Sequence, residues 1–112
     1  MDRIKQFQQA IIELLNEYKG QFHQTNQEVW AETVIDDTNH HYQFLWTGWR
    51  GERHIFSVVF HIDILGEKIH IQQDNTEIGI ANLLLEKGIN KQEIVLAYFP
   101  KAHRPYTDFA VA

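Results

Sequence analysis

His61, Asp63 and His70 are the residues whose types and spacing offer chemistry. Imidazole nitrogens and carboxylate oxygens are good ligands for zinc and other divalent ions. His61 and Asp63 stand two apart, so on a strand they share a face. A two-residue turn at Leu65-Gly66 places His61 opposite His70 and Asp63 opposite Lys68, which gathers three donors on one side. The same face also reads as solvated, with Asp63 paired to Lys68, and a metal centre needs a further ligand and supporting hydrogen bonds. His40-His41 fits a solvated turn. Other reactive chemistries lack their parts. There is no cysteine, hence no thiolate, disulfide or cysteine metal site. The one serine, Ser57, lies mid-strand outside any G-x-S-x-G elbow, and neither a P-loop nor a G-x-G-x-x-G is present. The residues therefore predict no catalytic centre and no cofactor.

The elements that position these side chains follow from periodicity. Ile4, Phe7, Ile11, Leu14, Leu15 and Tyr18 recur at helical spacing, with Asp2 as N-cap and Gly20 at the end. Residues 21–27 are a polar connection. Four runs with strand character follow, Glu28–Asp36, His41–Trp49, Arg53–Ile64 and Glu67–Asp74, separated by short turn-forming segments. A second helix is predicted over residues 77–87, with Ile78, Ala81, Leu84 and Leu85 on one face and Asn75 or Thr76 as cap. Gly88 and Ile89 fit its C-terminal cap, and Asn90 to Glu93 has the form of a capping box. Ile94–Phe99 reads as a last strand, ended by Pro100. Together these give one α+β domain over residues 1–112. Its expected core is an antiparallel meander of four to five strands with both helices on one face.

The other face is predicted to be mixed. A turn at Arg50-Gly51 places Leu45 opposite Phe56 on the Phe60 face, and puts Trp46 opposite Ile55 on the second face. That second face is polar toward His61, Asp63 and His70 and apolar toward Tyr42, Phe44, Trp46, Ile55 and Val59. Either the chain's own tail or another protein must cover the apolar part. Tyr42, Phe44 and Trp46 are thus predicted interface residues.

Charge narrows the partner class. The chain has 112 residues, 10 Lys+Arg against 15 Asp+Glu, and a formal net charge of −5. A pI near 5.7 is the opposite of a nucleic-acid footprint. The basic residues that remain for DNA are Arg50, Arg53, Lys101 and Arg104. No apolar run is long enough to span a bilayer, and the start lacks the pattern of a signal peptide, so a cytoplasmic protein is expected.

Several longer segments carry a resemblance. They are His61-Ile62-Asp63-Ile64, Lys68-Ile69-His70-Ile71-Gln72, Asp74 to Asn82, Gly88 to Leu96, and the close Arg104-Pro105-Tyr106-Thr107-Asp108-Phe109-Ala110-Val111-Ala112. With Gly48-Trp49 and the N-terminal helix, they resemble the XisI family, the fdxN element excision controlling factor of cyanobacteria. The resemblance implies an accessory role in programmed DNA excision during heterocyst differentiation, where a separate recombinase cuts and rejoins. It implies a XisH-type protein partner and supplies no catalytic residues. Arg104, Tyr106 and Phe109, in the terminal motif, are further candidate interface residues. Two other functions are carried forward: a DNA-binding directionality factor, and a small metal-dependent enzyme using His61, Asp63 and His70.

Overall fold

Asp2 opens the first helix by accepting a hydrogen bond from the Ile4 N–H at 3.0 Å. In the computed structural model, which describes residues 2–22 and 28–112, α1 runs Arg3–Gly20. The predicted 21–27 connection lies largely outside the described residues. Phe7, Ala10, Ile11, Leu14 and Leu15 form the buried stripe of α1. Beneath it lies a five-stranded sheet in the order β1 (Val29–Asp36), β2 (His41–Arg50), β3 (Arg53–Leu65), β4 (Lys68–Asp74) and β5 (Ile94–Leu96). The first four strands form the expected antiparallel meander. β5 instead runs parallel to β4, because α2 (Ile80–Glu86) carries the chain back along the sheet before it pairs.

Two main features correct the predicted register, beside a smaller irregularity in β4 opposite His61 and Ile62. First, both hairpins turn one residue later than expected. Arg50 pairs with Arg53 and Leu65 with Lys68, which leaves Gly51-Glu52 and Gly66-Glu67 as the turns. Each turn puts glycine first, at φ 63° and 62°, as hairpin turns that need positive φ there demand. This slip keeps every side chain on its face but changes its partner. Asp63, not His61, lies opposite His70; His61 pairs with Gln43 and, past an extra residue at Gln72 on β4, with Gln73.

Second, β3 carries a bulge. Phe44 pairs with Phe60 and Leu45 with Val58, so Val59 is an extra residue. Val59 and Phe60 both enter the core under α1. The bulge reverses which side each residue of the hairpin tip takes relative to the rest of β3. Tyr42 and Phe44 are consequently fully buried under α1, and Trp46 packs on the edge of that core. The predicted assignment of these three to the second face is therefore overturned.

The second helix is shorter than predicted. Asp74 Oδ2 accepts from the Ile80 N–H at 2.7 Å, and its Oδ1 accepts from the N–H and hydroxyl of Thr76. This ties residues 75–79 into a loop, so Ile80 rather than Ile78 joins Ala81 and Leu84 in the core. The C-terminal cap forms as expected, with Ile89 N–H donating to Leu84 O and Gly88 N–H to Leu85 O. The capping box of Asn90 and Glu93 also forms. Glu93 is further held by Arg3, whose Nε donates to Oε2 at 2.7 Å and so ties the start of α1 to the start of β5.

Candidate functional site

α1 and α2 pack on one side, and among the described residues neither crosses the opposite face of the sheet, whose β5 end is covered by the C-terminal segment at Val95. Alternation along each strand decides what that outer face presents. At the end nearest the β2–β3 turn it presents aromatics. Thr47 is flanked by Trp30 on β1 and Phe56 on β3, and Trp49 pairs with His54. The Trp49 and His54 rings lie 4.7 Å apart and those of His54 and Phe56 6.4 Å apart, which makes an exposed ladder. Trp49 is 54% and Phe56 66% exposed. Leu45 and Val58 floor the patch between them. An apolar face was expected, but its members are Trp30, Trp49 and Phe56 in place of Tyr42, Phe44 and Trp46.

The C-terminal tail does not cover this patch. Ala110 joins the edge of β5, with its N–H donating to Ile94 O at 2.8 Å, and Val95 is buried there. Arg104 donates from Nε to Phe99 O and from Nη2 to Ala97 O, so it holds the tail's own backbone. Phe109 packs on the core with the Lys91 ammonium 5.8 Å from its ring centre. Tyr106 is 88% exposed and makes no such contact.

The other end of the outer face is polar and holds the histidines. His41, Asp63 and His70 lie in a row across β2, β3 and β4. Asp63 Oδ1 is 2.7 Å from His41 Nδ1 and 2.8 Å from His61 Nε2. His61 Nδ1 is in turn 2.9 Å from Gln43 Oε1. The three donor atoms of His41, His61 and Asp63 all lie within 4.8 Å of one another. His70, predicted as the third donor, is not in this group, since the later turn draws Asp63 opposite it and the carboxylate bonds the other two rings. Burial, followed by the nearby Arg104 charge, pushes the His70 imidazole below its ordinary value. His41 was the residue missed; its place at the first position of β2, after a positive-φ His40, is set by the turn and not by any apolar pattern.

His41 is raised above the ordinary histidine value, first by its hydrogen bond to Asp63. The stability carried by this pair is fully present below the unfolded histidine pKa of about 6.5. It is lost as pH rises through the raised folded value. NMR titration is expected to show His41 deprotonating late in the wild type and at an ordinary pH in Asp63→Asn. An unshifted His41 in the wild type would contradict the pairing. Tyr42, buried on the helix side, is pushed up to about 12 by desolvation and by its hydrogen bond to Asp37 Oδ1 at 2.9 Å.

The basic residues considered for DNA do not form one stripe. Arg50 and Arg53 face each other at the hairpin tip, while Lys101 and Arg104 belong to the tail beyond β5. No described helix is long and apolar enough to cross a membrane.

A five-stranded sheet with α1 and α2 on one face, and an aromatic patch and a His–Asp cluster on the other, places the chain in a class of small α+β domains. The family model described as XisI protein matches residues 1–111. The chain belongs to the XisI family. It is similar to the crystal structure of a XisI-like protein from Anabaena variabilis ATCC 29413, with a TM-score of 0.91 at 32% identity, covering 97% of this chain and 99% of that one. It is also similar to the fdxN element excision controlling factor XisI from the same organism, with a TM-score of 0.87 at 26% identity, covering 99% and 100%. No protein with a curated description matches the chain.

Proposed function

We propose that this protein is a non-enzymatic accessory factor that controls excision of a DNA element, and that it acts by binding a XisH-type protein through its outer sheet face. Family membership supports the excision role, since a solved relative bears the name of an excision controlling factor. The observation that carries the mode of action is the exposed ladder of Trp49, His54 and Phe56 beside Trp30, over which none of the described elements is laid. Aromatic side chains supply most of the binding energy at protein interfaces when a partner desolvates them. The net charge of −5 supports a protein partner over DNA, and it suits a basic one.

Light scattering on a sizing column, for the protein alone and mixed with its XisH-type neighbour, tests this reading. A stable mixed complex is the expected result. A homo-oligomer that leaves the neighbour unbound would reassign the face to self-association. Steeply salt-dependent DNA affinity carried by Arg50 and Arg53 would favour a directionality factor.

A further inference from the structure

We propose that His41, His61 and Asp63 form a zinc-binding site on the outer face of the sheet. The site stands apart from the aromatic patch and does not rest on the excision role. Its donor set is two imidazole nitrogens and one carboxylate oxygen, a combination that suits zinc and leaves a fourth position open to water or a partner's side chain. Three features of the fold build it. His61 and Asp63 are two apart on β3 and therefore share a face, and His41 is the direct cross-strand neighbour of Asp63. The donors already converge, lying within 4.8 Å of one another. Ligands about 2.0–2.1 Å from a tetrahedral ion sit roughly 3.3 Å apart, so small side-chain rotations open the present contacts to that spacing.

The hydrogen bonds around His61 suit a bound ion. Nε2 approaches Asp63 Oδ1 and Nδ1 approaches Gln43 Oε1, and both partners are oxygens. A neutral imidazole carries a single N–H and donates to one of them, so the other contact calls for a protonated ring, a turned Gln43 amide or a cation between the partners. With zinc between Nε2 and the carboxylate, one proton suffices: Nδ1–H donates to Gln43 and the Nε2 lone pair binds the ion. A metal-bound histidine whose other nitrogen donates to a fixed oxygen is the usual supporting arrangement, because it sets both tautomer and ring orientation. Gln43, paired with His61 across the strands, is thus a positioning residue.

Calorimetric titration of zinc into the untagged full chain tests the site, with thermal unfolding as a second readout. The expected result is one zinc per chain and a raised melting temperature. His41→Ala and His61→Ala should each weaken binding at least about tenfold and abolish the thermal shift, and Gln43→Leu should weaken it about tenfold through loss of the outer hydrogen bond. His70→Ala should leave binding unchanged. His41 lies on the surface, so its variant tests the site in a folded protein. Absence of saturable binding up to about 1 mM zinc would overturn the proposal. Binding of equal strength in His41→Ala and His61→Ala would also overturn it.

Discussion

Phe44→Ala is expected to destabilise the protein by about 3–5 kcal/mol. The ring is fully buried beneath α1 and stacks on Phe60 with centroids 5.6 Å apart. Tyr18 meets it edge-on at 4.9 Å and Trp46 at 5.9 Å. Truncation removes the transfer energy of the ring, leaves a cavity walled by rigid aromatics, and forfeits these ring pairs. A loss of this size is a large part of the roughly 5–15 kcal/mol that holds a domain folded. Phe56→Ala, on the opposite face of the same hairpin, should change stability by no more than about 0.5 kcal/mol. Urea denaturation of the two variants measures both. The reverse order would place Phe44 on the surface and contradict the bulge at Val59.

Gly48→Ala should cost at least about 3 kcal/mol for a different reason. Gly48 has φ +139°, and an added Cβ would lie 1.9 Å from Glu28 O and 2.8 Å from Val29 Cα. The close approach is held by the Trp49 N–H, which donates to Glu28 O at 2.8 Å. The methyl must push the start of β1 away from β2, since backbone atoms cannot rotate aside as a side chain would. This crossing also fixes Trp49 beside His54 on the outer face. Loss of hydrogen-exchange protection should therefore begin in β1 and at Trp49. A variant with wild-type stability and protection would show that the strands do not cross this closely.

The helices, apart from the start of α2, were legible because their signals are local. The apolar stripe from Phe7 to Leu15, the Asp2 cap, and the Gly88-Ile89 cap each depend on residues within one or two turns. Strand order was legible from the short turns. Partners were not, because a glycine fits either middle position of a two-residue turn, and its place decides whether His61 or Asp63 meets His70. The bulge was invisible for a stronger reason. Phe56, Val58, Phe60, Ile62 and Ile64 alternate without a break, so the pattern itself argues for an unbulged strand. Burial under α1 overrides it, bringing Val59 and Phe60 inward together and turning Phe56 out. The outer face was thus foreseen as a surface, while its aromatic members and the donor His41 depended on long-range pairing.

The central claim, that the outer face of the sheet is what binds the partner, is tested most directly by partner affinity in surface variants. Titration of the labelled XisH-type protein into wild type, Trp49→Glu and Phe56→Glu is the measurement, with melting temperature as the check on folding. Wild-type binding that weakens about 30-fold or more in both variants is predicted, which matches the 2 kcal/mol or more expected of central aromatic anchors. Undiminished affinity in both folded variants would contradict it.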